Sequence, residues 1–592
     1  MIRTSLRERF RALLRLWAAI GPFLPARLQA LGVGEQGLLL LMGALVGMLA
    51  GLAIVGFYRV LDLAEAGLGA VAETPTLNAF ALRALVLLAG LGVARLLVHY
   101  GTRDSAAENI PDVIHAVARR SGVLKVWPVI IKTVASAFAI AAGGSVGAEG
   151  PVAVLGAATA SGAGQWFGFQ PDRLRLLVGC GTAAGISGAF GAPIAGVFFA
   201  TEKILGGLRS ATLAPLVLAS VAAAAVTRNL VGPDHQLIRM SHEVTQWHNL
   251  DLLLALLIGA AGGAIGTAYN RCIWLLGDQL ERIPATVRVV AAALMLSALA
   301  LPFAPLAWGS AGLDLGIIGA AEPGRSLLMV AAKIIATAIT LAAVGAGGLF
   351  TPALAVGAAL GAGLGGLLHL LAPDLISTPM IYILAGMCAV VAGAVHAPFT
   401  AIFIVLEVTG DWNLILPLLL AGTLGYVVAK SLYPESVYSE WLARRGEKIS
   451  QGTDEAVLSR LRVAKAFRQD SAQLSGSMRL PEALLAVQRS TEAEFPVVDG
   501  SGRLVGLFTL ADWRRAMTRP SEDADIPLSE AASPVTETVT VEDTMLTVLK
   551  RLGSRGALLL PVVAADDSGK LLGTIGRADV FAAYEREVGA EK

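Results

Sequence analysis

The apolar body of this chain contains the same interrupted segment twice. Residues Lys132–Pro151 read KTVASAFAIAAGGSVGAEGP, and residues Lys333–Pro352 read KIIATAITLAAVGAGGLFTP. At one constant offset the pairs Lys132/Lys333, Ala135/Ala336, Ala142/Ala343, Gly144/Gly345, Gly147/Gly348 and Pro151/Pro352 are identical. A second repeat follows in each half. GAFGAPIAGVFFATE (Gly188–Glu202) and GAVHAPFTAIFIVLE (Gly393–Glu407) share Gly, Ala, Ala, Pro, Phe and Glu at matching places. Duplicated apolar segments broken by Gly and Pro point to a membrane transport site built from discontinuous helices.

Composition places the chain in a bilayer. Of 592 residues, 55% are hydrophobic and 15% are charged, against about 25% charged in soluble proteins. Apolar runs at Leu38–Gly56, Ala81–Val98, Leu252–Ala268 and Val289–Ala304 could each cover much of the ~30 Å hydrocarbon core. The N-terminus, MIRTSLRERFRALLRLWAAI, is Arg-rich and amphipathic and lacks the apolar region of a signal peptide. Basic residues ahead of the first span predict cytoplasmic termini. The Ala/Arg/Leu-rich style suggests a bacterial inner membrane. The net charge of +1 carries no nucleic-acid footprint. Cys180, Cys272 and Cys388 stand in or near apolar segments without CxxC spacing, so neither a metal site nor a disulfide framework is expected.

The two breaks define candidate chemistry. In Gly147-Ala148-Glu149-Gly150-Pro151 one carboxylate stands in a glycine-rich interruption, and Pro suits the first turn of a new helix. This predicts a helix opening at about Pro151. Gly348-Leu349-Phe350-Thr351-Pro352 predicts a matching opening in the second half. Two helix N-termini meeting near midplane offer free N–H groups and partial positive charge, an anion site that needs no lysine or arginine. Gly147, Gly150, Leu349 and Phe350 are its candidate backbone contacts. Ionised, Glu149 would compete for the anion's place. Protonated or displaced, it would swing away, giving a pH-linked gate and a carrier for protons. The other reading of Glu149 is a helix cap without a transport role. Glu202 and Glu407, matched in the second repeat, read as structural caps of neighbouring loops.

Near residue 446 the sequence becomes soluble in type, and the tail has its own repeat. AEFPVVDGSGRLVGLFTLADWRRAM (Ala493–Met517) matches LLLPVVAADDSGKLLGTIGRADVFAAY (Leu558–Tyr584). Each reads as strand, Gly-containing turn, strand and helix. These units resemble CBS domains, which fold as pairs. The resemblance makes Thr509, Asp512 and Asp579 candidate contacts for an adenine nucleotide, with Gly576 replacing the hydroxyl residue in the second unit. The other reading of Asp512 is a helix N-terminal residue.

GAEGP, GLFTP and the two GA..AP....F...E segments, in this order and spacing, resemble the CLC family of chloride channels and proton/chloride antiporters. The resemblance covers about Gly34 to Arg445. It implies an all-α multi-pass membrane protein of about eighteen tilted helices in two inverted halves, assembled as a homodimer with one pore per subunit. A C-terminal α/β CBS pair is a familiar attachment in that family. The expected organisation is a cytoplasmic segment at 1–33, a transmembrane domain at 34–446, and CBS-like units at 447–520 and 521–592. By the resemblance Glu149 is the gate, the amides of Leu349 and Phe350 serve the central anion, and the Tyr438 hydroxyl contacts it. No cofactor is implied beyond the nucleotide, and the chain reads as a transporter, not an enzyme.

Departures from the family pattern bear on mechanism. Where the family carries GSGIPE, this chain has Ala107-Glu108-Asn109-Ile110-Pro111-Asp112, with Glu108 at the serine position. An ionised Glu108 facing an anion would repel it by ~4 kcal/mol at 4 Å and an effective dielectric of 20; Asn109 is the alternative N–H donor. Ala148 replaces the arginine that usually precedes the gating glutamate. Lys203 stands where antiporters of the family carry an intracellular proton-transfer glutamate, which favours weak or altered proton coupling; its other reading is a snorkelling lysine. Two rival functions follow from the same residues: a cation transporter with Glu108 and Glu149 as ligands, and a nucleotide sensor with a membrane anchor.

Overall fold

The computed structural model describes residues 34–68, 77–102, 109–208, 210–232, 238–239, 247–303, 313–373, 379–446, 453–488, 492, 494–517, 526–555, 557–567 and 569–590. The amphipathic segment 1–33 lies outside them. The chain divides into two compact units, Met1–Ile449 and Ser450–Lys592.

The first unit is helical. Among the described residues seventeen α-helices run from Glu35–Leu68 to Val437–Arg444, and seven helical segments are long and apolar enough to cross a membrane. The apolar runs read from the sequence fall in Glu35–Leu68, Leu77–Thr102, Asn249–Glu281 and Ala285–Ala300. The last of these ends at Ala300, earlier than the run itself.

The repeat in the sequence is a repeat in packing. Helix Glu149–Trp166 lies against Pro171–Phe190, and Phe350–Leu371 lies against Pro379–Val395 in the same manner. Glu35–Leu68 packs on Ser210–Val231, as Asn249–Glu281 packs on Ile415–Leu432. Glycine makes these crossings close. A Cβ on Gly156 would fall into the Gly181 carbonyl, and one on Gly181 into the Gly156 carbonyl. Their repeat mates, Gly357 and Gly386, stand in the same reciprocal relation. Small residues let helix backbones approach where lipid supplies no hydrophobic drive between helices. One buried apolar cluster runs through both halves, from Ile54 to Tyr438.

The second unit holds two three-stranded sheets of the same topology. In each, a short first strand pairs parallel with the second, and the second pairs antiparallel with the third. The hairpins Glu494–Val498/Leu504–Thr509 and Leu559–Val563/Leu571–Gly576 carry a register shift at the same place, Val497/Val498 and Val562/Val563. Helices Leu510–Met517 and Arg577–Ala590 follow directly. The first strands, Leu474–Ser475 and Val539–Thr540, are two residues long, too short to leave an alternating pattern in the sequence.

The expected units, 447–520 and 521–592, exchange apolar residues across their division. Leu461 and Val463 are buried in one core with Val539, Val548, Val562 and Val580. Val463 N–H donates to Asp543 O at 2.9 Å, and Arg468 N–H to Thr574 O at 2.8 Å. Leu528, from the other side, is buried with Leu474, Phe495 and Phe508. Each core therefore includes residues from the neighbouring unit. The turns of the two hairpins are tied by Arg503 and Asp567, at 2.7 Å. The Gly569 N–H, then the Arg503 guanidinium, holds the Asp567 carboxyl below the usual carboxylate range.

The Gly–Gly crossings generate a test. Gly156→Val places a branched side chain against backbone that has no room to yield, beyond the about 1–3 kcal/mol of ordinary overpacking. Loss of the monodisperse peak in detergent size-exclusion is expected, while Leu41→Val, on an exposed apolar position, keeps it.

Candidate functional site

The two breaks meet each other. Gly147 N–H donates to Gly348 O at 2.9 Å, and Gly348 N–H returns to Gly147 O at 2.8 Å. This two-bond antiparallel bridge joins residues at identical repeat positions. A Cβ on either would displace the Glu149 carboxylate from this position. A Cβ on Gly150 would come within 2.8 Å of Gly348 Cα. The bridge also corrects an expectation. The Gly147 amide was a candidate anion contact, yet it is spent on Gly348.

The helices open two residues earlier than predicted, at Glu149 and Phe350. Glu149 therefore sits in a first turn, with no solvent exposure, and its side chain crosses to the other half. Oε1 accepts Phe350 N–H at 2.7 Å and Thr351 N–H at 3.0 Å, and Oε2 accepts the Thr351 hydroxyl at 2.6 Å. A carboxylate on a helix N-terminus is favoured by the free N–H groups and the helix dipole together. Phe350 and Thr351 supply the two amides to Glu149, and Thr351 adds a hydroxyl. The Leu349 contribution is its carbonyl, which accepts the Tyr269 hydroxyl at 2.8 Å.

A cavity of about 370 Å³ lies beside this contact, lined by Asn109, Lys132, Gly150, Leu349 and Tyr438 among others. Tyr438 is 4% exposed, and its hydroxyl has no hydrogen-bond partner among the described residues. Phe199 stands edge-on to its ring at 6.5 Å. A buried hydroxyl without a partner costs about 1–3 kcal/mol, which a bound acceptor at the cavity would offset. Lys132, buried and identical in the repeat, lines the same cavity. Glu108 lies outside the described residues. Asn109 caps the helix Ile110–Arg119 and lines the cavity, and its backbone N–H is donated to Asp112 Oδ2 at 2.9 Å.

The acidic pair of the second repeat caps reciprocally. Glu202 accepts Phe399 N–H, Thr400 N–H and the Thr400 hydroxyl at 3.1, 2.9 and 2.6 Å, closing the start of helix Pro398–Thr409. Glu407, on that helix, accepts Ile194 N–H and Ala195 N–H at 2.9 and 2.8 Å, closing the start of Pro193–Phe199. Lys203 is buried in a π-helical turn, Ala200–Ile204, with Glu202, Lys430 and His396 within electrostatic reach.

In the second unit Asp512 is 2% exposed. Its Oδ2 accepts Thr509 N–H at 2.9 Å and the Thr509 hydroxyl at 2.6 Å; its Oδ1 accepts the Ser533 hydroxyl at 2.8 Å and also binds Arg515. Asp579 accepts Gly576 N–H at 2.8 Å and Arg468 Nε at 3.2 Å. Both aspartates lie in the first turns of their helices; both oxygens of Asp512 and Oδ2 of Asp579 are engaged within the fold.

Thr351, Tyr269 and Lys132 were not singled out from the sequence. Thr351 could have been, since it follows the repeat mate of Glu149. Tyr269 carried no signal, because it lies in an unbroken helix far along the chain.

The fold and the bridged breaks define a multi-pass membrane transport protein with an anion-type site between two helix N-termini. A family profile described as voltage gated chloride channel matches residues 89–430, and CBS domain profiles match 467–519 and 525–586. The chain is 33% identical over 420 residues to a putative chloride channel protein ClcB-like from Ralstonia nicotianae, covering 69% of this chain and 97% of that one. It is 27% identical over 572 residues to chloride channel protein CLC-f of Arabidopsis thaliana, covering 85% and 72%. A solved structure of a slow cyanobacterial Cl⁻/H⁺ antiporter shares the fold with a TM-score of 0.60 at 24% identity, over 69% of this chain and 97% of that one. This chain belongs to the CLC family, with a pair of CBS domains after its membrane domain.

Reciprocal capping predicts a stability effect. Glu407→Ala leaves the amides of Ile194 and Ala195 without their acceptor, so a loss of about 1–2 kcal/mol is expected, read as a lowered melting temperature in detergent. Glu202→Ala should cost at least as much.

Proposed function

We propose that this protein moves small inorganic anions, chloride first, across a cell membrane, with Glu149 as the gate. The observation that carries the reading is the Glu149 carboxylate seated on the Phe350 and Thr351 amides and the Thr351 hydroxyl. An anion at that helix N-terminus would meet the same donors. The carboxylate is thus a tethered stand-in for the transported ion. Protonation of Glu149, or its displacement by a mobile anion, frees the donors. Each charge-assisted hydrogen bond exchanged is worth about 1.5–3 kcal/mol, so replacing one set by another keeps the exchange near balance. Partial charges on amides hold an anion firmly enough to select it and loosely enough to release it. The Tyr438 hydroxyl and the Lys132-lined cavity provide the next station.

Glu149 is also the natural carrier of protons. Lys203, where antiporters of the family carry a second acid, argues for weak or altered coupling and leaves channel-like flux as the stronger mode. The working assembly is a homodimer in a bacterial inner membrane with cytoplasmic termini. The CBS pair acts as a cytoplasmic regulator, with an adenine nucleotide as its candidate ligand. Phe350 and Thr351 offer donors, not acceptors, at the central contact, which disfavours a cation as cargo. A simple anchor has no use for bridged helix breaks at depth.

The test is reconstitution in liposomes with simultaneous recording of chloride efflux and proton movement. Chloride efflux is expected, with little or no uphill proton movement. No efflux of any halide or nitrate sinks the reading. Glu149→Gln is expected to keep anion flux and to abolish its pH dependence; lost flux with retained pH dependence removes Glu149 as the gate. For the tail, ATP titration should separate wild type from Asp512→Ala. Identical curves reduce Asp512 to its capping role.

A further inference from the structure

The Leu349 carbonyl and the Phe350 N–H belong to one peptide plane, pointing in opposite directions across a trans bond. The N–H holds the Glu149 carboxylate at 2.7 Å. The oxygen accepts the Tyr269 hydroxyl at 2.8 Å, while the intrahelical bond from Ala353 N–H to the same oxygen is longer, at 3.3 Å. Tyr269 comes from helix Asn249–Glu281 and is fully buried. Glu149 and Tyr438 are the groups that interact electrostatically with its phenol. It sits one peptide away from the Glu149 carboxylate.

We propose that Tyr269 is a positioning residue for the transported anion, acting through the Leu349–Phe350 peptide. Its hydroxyl fixes the tilt of that plane at the N-cap, where the backbone is not yet held by a complete helical ladder. A hydrogen bond to the oxygen also polarises the amide and strengthens the N–H on its far side as a donor. The residue therefore tunes how tightly the central contact holds either Glu149 or an anion, without touching the ion. This inference rests on the anion reading above and adds to it a determinant outside both breaks.

The experiment is calorimetric titration of chloride into the detergent-solubilised full chain, in an otherwise chloride-free buffer of a bulky anion. Tyr269→Phe and Ser187→Ala are compared with their parent, all in a Glu149→Gln background so that no ionised carboxylate competes for the same donors. The Ser187 hydroxyl donates to Ser220 O at 2.7 Å, a carbonyl outside the Phe350 peptide, so it controls for loss of one buried hydroxyl bond. Chloride affinity is expected to fall about three- to tenfold in Tyr269→Phe and to stay at the parental value in Ser187→Ala. Melting temperatures without chloride are expected to fall alike in both. An unchanged affinity in Tyr269→Phe, or an equal loss in the two variants, overturns the assignment. If Tyr269→Phe does not fold, 3-fluorotyrosine at position 269 decides: its more acidic hydroxyl should raise chloride affinity, and no change overturns the proposal. A parent that binds no halide overturns the anion reading and this inference with it.

Discussion

The two hydrogen bonds between Gly147 and Gly348 hold the rest of the site in place. They join the same position in each copy of the repeat, so they lie where the two halves meet as equals. Everything beyond them departs from equality. One residue past Ala148 the chain places an acid, and at the matching place the other copy has Phe350. The bridge brings these unlike residues to hydrogen-bonding distance, so that the acid of one half meets the amide of its own counterpart. Without a bridge between glycines, neither helix start could approach the other closely enough for one carboxylate to reach across.

Much of this was legible in the sequence because repetition and rarity are strong signals. The duplicated breaks marked the two helix starts to within two residues. A single glutamate inside a glycine-rich apolar stretch marked itself, since ionisable groups are scarce at membrane depth. The matched Glu202 and Glu407 read as caps, and their geometry is that of caps. In the tail, alternation and turn glycines gave the two hairpins and the helices that follow them.

What the sequence did not give has physical causes. The spending of the Gly147 and Asn109 amides depends on partners that only the fold brings near, Gly348 and Asp112. The contact of Thr351 with Glu149 follows from the direction of a side chain crossing between halves. The short first strands of the CBS sheets went unread because two residues leave no period to read. Leu461 and Val463 look like linker until the core containing Val539 and Val562 accounts for them.

The reciprocal caps bear on how such a chain comes to exist. Helix Pro193–Phe199 has its exposed amides closed by Glu407, a residue made more than two hundred positions later. The ribosome therefore releases a first half whose helix start is still open, and the membrane must hold it so until the second half arrives. Neither copy is a finished protein. Each half closes a helix start that belongs to the other, so a change at either glutamate is felt across the duplication.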